Sequence, residues 1–199
     1  MSLRLKIVLT GGIASGKSSV SERLKKSGFS IIDADDIAHE VLADNVDKIA
    51  KVFGEEYVKN SVVDRKKLGE LVFADKEKKE LLESILHKEI YKKIAKAAKI
   101  LEELKKPYIV DIPLFFEKEE IYEADLTIVV YAPKEQQLVR LMKRASLSER
   151  EANNRLDAQM DIEIKKQKAD IVVDNSKDLM HLQKETNKLI KILKEKYAS

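Results

Sequence analysis

Eight residues near the start of the chain constrain it more than any others. Gly11-Gly12-Ile13-Ala14-Ser15-Gly16-Lys17-Ser18 fits the pattern G-x-x-x-x-G-K-[ST]. An apolar run (Ile7, Val8, Leu9) precedes it, and a helical pattern over 18–26 follows it. In that context the glycines let the backbone wrap so that N–H groups point inward at phosphate oxygens. The following helix adds its positive N-terminal end. Glycine makes up only about 7% of an average protein, so a chance match with a strand before it and a helix after it is rare. The pattern predicts nucleotide binding through Gly12, Ile13, Ala14, Ser15, Gly16, Lys17, Ser18 and Ser19. Lys17 is the candidate catalytic cation at the β- and γ-phosphates, and the Ser18 hydroxyl is a candidate Mg2+ ligand.

Five short apolar runs read as strands: 5–9, 30–33, 108–112, 126–131 and 171–173. They are continuous rather than alternating, which suits strands buried on both faces of a parallel sheet. Helical patterns separate them, among them 134–145. The expected fold is α/β: a P-loop kinase with a five-stranded parallel sheet flanked by helices, its ligands at the carboxyl ends of the strands. About 70 residues separate the second and third strands, too many for a simple crossover. Residues 37–104 therefore read as a helical insertion, in which Asp64 caps a helix carrying Leu68, Leu71 and Val72. Ser148 and Glu151 form a capping box opening a helix to about Gln159, within a small lid at about 140–168. Ser176 is expected to cap a last helix whose Leu182, Leu189 and Leu193 share a face. All of this is read as one domain over 1–199.

Composition narrows the function. Lys and Arg number 38 against 35 Asp and Glu, a formal net charge of +3. Both signs are abundant, so the surface is salted rather than basic, which argues against a nucleic-acid binder. Cysteine is absent, which excludes a disulfide framework, a thiolate metal site and a cysteine nucleophile. No apolar run approaches the roughly 20 residues a membrane span needs. The expectation is a cytoplasmic protein with small-molecule partners, no nucleic acid and no membrane, acting as a monomer or weak oligomer.

Carboxylates and arginines supply the remaining chemistry. Asp33-Ala34-Asp35-Asp36 ends the second strand. If the acceptor is an alcohol, a carboxylate there can orient it and take its proton, and Asp33, directly at the strand end, is the candidate base. Asp35 and Asp36 are also good helix caps. Asp111, after Ile109 and Val110, resembles a weak Walker B acid able to hold Mg2+ through water. Pro113 ends the pairing. Leu114, Phe115 and Phe116 either line a pocket or pack in the core. Arg140, Arg144 and Arg155 lie around the second insertion, where guanidinium forks match phosphoryl oxygens, and Arg140 is the first candidate. No N-K-x-D string for reading guanine stands after a late strand. Asn154-Arg155-Leu156-Asp157 falls in a predicted helix, and Asn175-Ser176-Lys177-Asp178 has the wrong order. A small P-loop kinase fits best.

Taken in order, these residues resemble the dephospho-coenzyme A kinase family. The similarity runs from the loop through Asp33-Ala-Asp35 with Ala38-His39, Asp64-Arg65 through Leu68 to Phe73, and Leu82 to His87. It continues in Asp111-Ile-Pro-Leu-Phe-Phe-Glu117, then Pro133, Gln137, Arg140, Arg144, Arg155, Gln159 and Ala169-Asp170 through Asn175. It covers residues 5 to about 180. The chain departs from the family's usual pattern at Ala14 (Gly), Lys88 (Pro) and Ala145 (a polar residue). The resemblance implies ATP-dependent phosphorylation of the ribose 3′-hydroxyl of dephospho-coenzyme A, the last step of coenzyme A synthesis, with Mg2+. It implies that Arg65, His87, Asp35 and Asp111 help hold the acceptor, and that Asn175 lies near the ATP base. Two alternatives stay open: a nucleoside or nucleotide monophosphate kinase, and a regulator that binds ATP without transferring phosphate.

Overall fold

Ile7, Val8 and Leu9 have no solvent exposure, as a strand covered on both faces requires. A computed structural model describes residues 5–117 and 122–198. In chain order its elements are β1 (Ile7–Gly11), α1 (Lys17–Lys26), β2 (Ser30–Asp33), α2 (Ala34–Asp44), α3 (Val46–Phe53), a 3-10 turn (Glu55–Tyr57), β3 (Val58–Lys59), β4 (Val62–Val63), α4 (Arg65–Ala74), α5 (Lys76–Glu103), β5 (Tyr108–Asp111), β6 (Leu126–Tyr131), α6 (Lys134–Ala145), α7 (Glu149–Asp157), α8 (Ile162–Lys168), β7 (Ile171–Asp174) and α9 (Leu179–Ala198).

Five strands form the parallel sheet, in the order β2-β5-β1-β6-β7. β1 is central. It pairs with β5 in the register Leu9 to Asp111, and with β6 from Ile7 opposite Leu126 to Gly11 opposite Val130. Side chains alternate across β1. Ile7 and Leu9 join Val20, Leu24, Leu182, Leu189 and Leu193 on one face, while Val8 joins Phe115, Phe116, Val129, Tyr131 and Ile162 on the other. The α/β class and the five-stranded parallel sheet are as the apolar runs predict.

The chain divides into two compact units, one running through Ile32 and resuming at Ala98, the other Asp33–Ala97. The second unit has its own core of Val41, Ile49, Phe53, Val63, Leu68, Ile85 and Leu86. It also holds a β3–β4 hairpin inside a stretch whose pattern reads as helix. Asn60 and Ser61 make its turn with φ of 50° and 59°, values that hairpin turns of this kind demand at both central residues.

Two local expectations change. β1 lies two residues later than 5–9, because Thr10 and Gly11 still pair with β6. Ser176 does not cap α9. Its N–H donates to Asp174 Oδ1 at 2.9 Å, and Asp178 Oδ1 instead accepts the His181 N–H at 2.8 Å. Of the two roles left open for residues 114–116, Phe115 and Phe116 take core packing, while Leu114 is exposed. Asp64 caps α4, accepting the Lys67 N–H at 3.1 Å. Ser148 and Glu151 complete their capping box at α7. Among the described residues, no helix is long and apolar enough to cross a membrane.

The edge strand β7 is preceded by a carboxylate that stitches its start to β6. Asp170 Oδ2 accepts both the N–H and the hydroxyl of Thr127, each at 2.7 Å. The Thr127 hydroxyl, then its N–H, hold the Asp170 carboxyl below the ordinary carboxylate range. A lowered native pKa contributes stability in full above the unfolded value of about 3.9, and that stability is lost as pH falls through the native value. Urea unfolding across pH should therefore show Asp170→Asn less stable than the parent at pH 7, with the gap closing below about pH 4. A pH-independent gap would assign the effect to lost packing instead.

Candidate active site

The phosphate loop is residues 12–16, between β1 and α1. Gly16 caps α1 in a left-handed conformation, φ 96°, with no side-chain hydrogen bond and no acid in the first turn. The orphan N–H groups of that turn are thus left to an anion. Gly16 has a second reason to be glycine: a Cβ there would lie 2.2 Å from Asn175 Nδ2. At Gly12 a Cβ would lie 2.4 Å from Gln137 Oε1. Ala14 adopts φ 58°, a conformation that a side chain resists.

Lys17 opens α1, and its ammonium pairs with Asp111 Oδ1. The other oxygen, Oδ2, accepts from Ser21 Oγ at 3.0 Å. The lysine side chain is 20% exposed and the aspartate 3%, so the pair sits at the mouth of the loop with its anionic partner inside. Strand order makes this pairing possible, because β5 lies directly beside β1. Ser18 and Ser19 follow on the exposed face of the first helical turn.

Arg140 on α6 is half-buried, whereas Arg144 and Arg155 are exposed. Arg140 Nη2 donates to the Asn175 carbonyl at 2.9 Å and to Gln136 Oε1 at 3.0 Å. Its Nη1 is buried without a hydrogen-bond partner among the described residues, as is Ser15 Oγ. Asn175 is buried, and its side-chain amide donates to the Ser15 carbonyl at 2.8 Å. The amide that the resemblance brings near the ATP base thus serves the phosphate loop. A cavity of about 220 Å3 opens beside the loop, lined by Gly12, Lys134, Gln137, Asp157, Gln159 and Ile162 among others.

Asp33 closes β2, at the carboxyl edge of the sheet, and is itself the N-cap of α2. Its Oδ1 accepts the N–H groups of Asp35 and Asp36 at 2.9 and 3.3 Å. The capping role read for Asp35 or Asp36 therefore belongs to Asp33, because the helix begins at Ala34. Both cap bonds go to Oδ1, so Oδ2 lies outside the cap. Within the same unit, Arg65 Nη2 lies 2.6 Å from His39 Nε2. His87 meets the Tyr91 ring edge to face, with centroids 6.2 Å apart. Burial, then the Glu83 carboxylate, push Tyr91 up to about 12.

Several residues that hold this site are given no role by the sequence. Gln159 Oε1 accepts the Ile13 N–H at 2.9 Å. Gln137 Nε2 donates to the Ala132 carbonyl at 2.7 Å. Thr10 Oγ1 donates to the Pro113 carbonyl at 3.0 Å. Lys165, with no exposure, pairs with Glu117 at 2.7 Å. In sequence Lys165 stands in Lys165-Lys166-Gln167-Lys168, where nothing local sets it apart from its neighbours. Its burial appears only once α8 packs on β6.

A family model described as dephospho-CoA kinase matches residues 5–181. A dephospho-CoA kinase of Sulfurimonas denitrificans is 43% identical over 197 residues, covering 99% of this chain and 98% of that protein. One from Helicobacter pylori is 40% identical over 97% of this chain and 100% of its own. Among solved structures, a Campylobacter jejuni dephospho-CoA kinase superposes with a TM-score of 0.72 at 39% identity, covering 96% and 98% of the two chains. A Thermus thermophilus protein gives 0.83 at 32%, covering 95% and 97%.

The loop geometry makes a paired prediction. Gly16→Ala forces a side chain into a left-handed position and displaces the Asn175 amide. Strain of about 1–2 kcal/mol and a lost hydrogen bond of about 1 kcal/mol should lower stability by about 2–3 kcal/mol and weaken nucleotide binding in calorimetry. Ala14→Gly relieves strain already present and should leave stability unchanged or raise it by up to about 1 kcal/mol. If Gly16→Ala unfolds in urea like the parent, the close approach of Asn175 is not what fixes the loop.

Proposed function

The chain belongs to the dephospho-CoA kinase family, and from that premise we propose how its own residues phosphorylate the ribose 3′-hydroxyl of dephospho-coenzyme A with ATP. The reaction is the last step of coenzyme A biosynthesis, an ATP-dependent phosphotransfer. The observation that carries the residue assignment is the phosphate loop with Lys17 paired to Asp111 on the neighbouring strand. The nucleoside or nucleotide kinase and the non-catalytic regulator, both compatible with a loop alone, are set aside by a family match reaching from residue 5 to 181.

The loop N–H groups and the N-terminal end of α1 bind the phosphates of ATP. Lys17 follows the negative charge as it moves onto the transferred phosphoryl group. In such reactions positioning and electrostatics supply nearly all the catalysis. Arg140 adds a fork whose Nη2 is fixed by Asn175 and Gln136, which leaves Nη1 for a phosphoryl oxygen. Mg2+ fits the donors present. Among the described residues no three carboxylate or imidazole side chains gather into a cage of their own. Magnesium is ordinarily held by one or two carboxylates with substrate phosphates and water. The Ser18 hydroxyl and the Asp111 carboxylate are the hard oxygen donors that would hold it. If bound there, the ion would supply positive charge against the negative charge of the donor's phosphates.

The acceptor is an alcohol, and it attacks well near neutral pH only if its proton is accepted as the bond forms. Asp33 is assigned that role. The α2 cap fixes its Oδ1, so the carboxylate is oriented before substrate arrives. Asp35, Arg65 and His87 are assigned to holding the acceptor.

A coupled ADP-release assay offering dephospho-coenzyme A, AMP, CMP, adenosine or no acceptor tests the reaction. Turnover should require dephospho-coenzyme A, and equal rates with AMP would defeat the assignment. Lys17→Ala should fold normally and lose at least about 100-fold in kcat/KM. Asp33→Asn separates the two roles of that residue. Asparagine caps helices as well as aspartate does, so stability should hold while kcat falls about 10²–10⁴-fold. A full kcat in Asp33→Asn leaves Asp33 a cap only.

A further inference from the structure

The buried pair of Lys165 and Glu117 takes no part in the chemistry above, yet it stands at the root of the phosphate loop. Lys165, on α8, is fully buried. Its ammonium lies 2.7 Å from Glu117 Oε1 and 3.4 Å from the carbonyl oxygens of Gly11 and Pro113. An ammonium has three N–H donors and no acceptor, so these three oxygens match its full donor count. They come from separate places. Gly11 ends β1 and opens the loop, while Pro113 and Glu117 lie in the segment that follows Asp111.

Glu117 Oε1 does a second job, accepting the Met160 N–H at 3.0 Å. The residue before Met160 is Gln159, whose Oε1 accepts the Ile13 N–H at 2.9 Å. The junction between α7 and α8 is therefore tied to the phosphate loop at two points: to Gly11 through Glu117 and Lys165, and to Ile13 through Gln159. A buried ion pair is a poor source of stability, because apolar groups of the same volume often do as well. What it supplies here is direction, since each donor fixes one named acceptor.

We propose that Lys165 is a positioning residue for phosphoryl transfer. Together with Glu117 and Gln159 it holds the Gly11 end of the loop and the α7–α8 junction in one arrangement. That arrangement keeps the loop N–H groups and Lys17 aimed at the phosphates of the donor. The inference rests on the donor half of the function given above, and ADP binding reads it whichever acceptor is phosphorylated.

The test is the double variant Lys165→Met with Glu117→Gln. It keeps volume, leaves no charge unpaired and retains an amide oxygen for the Met160 N–H. With cooperative unfolding retained, its ADP Kd by calorimetry should rise at least about 10-fold, with kcat/KM for ATP falling in step and KM for the acceptor changing less than about 2-fold, a split typical of lost positioning at one substrate. ADP affinity unchanged in the double variant, or acceptor KM rising as much as ATP KM, overturns the proposal. A readout in the parent protein decides the matter even where the double variant fails to fold. ADP should slow amide hydrogen exchange at Met160 more than at Leu189 in α9, because the Met160 N–H belongs to the tie. Equal slowing at both positions overturns the positioning role.

Discussion

The placement of β5 beside β1 is the constraint on which the site depends. Leu9 stands opposite Asp111 in that register, so a carboxylate at the end of one strand meets the lysine that follows the loop at the end of the other. Parallel pairing is what brings both to the same edge, since all strands then end together and their following loops converge. A shift of one residue would turn Asp111 to the opposite face of the sheet and remove the partner of both Lys17 and Ser21. The burial of β1 on both faces, with Ile7, Val8 and Leu9 all inaccessible, is what forbids such a slip.

Around that edge, polar side chains work on the backbone more than on each other. Asn175 donates to the Ser15 carbonyl, Gln137 to Ala132, Thr10 to Pro113, and Arg140 to Asn175. A loop wound to present N–H groups inward leaves its carbonyls facing the protein, where they need donors. The Asn175 amide meets that need at Ser15 without adding charge, while Gln159 Oε1 accepts the loop's Ile13 N–H. The same crowding explains the glycines: Gly12 and Gly16 are places where an amide side chain already occupies the position of a Cβ. Sequence makes a glycine loop legible, and the supporting amides show why it has its shape.

Much of the fold can be read from the chain, and the parts that cannot share a cause. Continuous apolar runs locate all five sheet strands, because burial on both faces leaves no alternative composition. Capping chemistry locates α4 and α7, because Asp64 and Ser148 act on residues three positions away. The β3–β4 hairpin escapes because its turn uses Asn60-Ser61 rather than glycine. The Asp33 cap is misplaced by two or three residues, because Asp33, Asp35 and Asp36 are equally suited to capping and only the helix start at Ala34 decides. Strand order is not written locally at all. Nothing in residues 108–111 says that β5 lies between β2 and β1, and so the Lys17–Asp111 contact can only be suspected. Lys165 is the extreme case: one lysine among three within four residues, distinguished only by the tertiary packing of α8.

The N-termini of α1 and α2 show how the sequence decides which helix receives an anion. Each helix follows a strand of the same sheet, and each carries the partial positive charge of its peptide dipoles at its start. At α2 that charge is met from within. Asp33 accepts two backbone N–H groups, and Asp35 and Asp36 add negative charge in the first turn. At α1 the cap is a glycine with no side chain, the first turn holds no acid, and Lys17 adds a full positive charge. A phosphate is attracted to α1 and repelled from α2, although both have helical N-termini. The same division suits the chemistry. The helix start without carboxylates leaves its N–H groups to an outside anion, while at the carboxylate-rich start they are met by Asp33. The difference rests on Asp33 at the end of β2 with Asp35 and Asp36 after it, and on the absence of acids after β1, a contrast fully visible in the sequence once the strand ends are known.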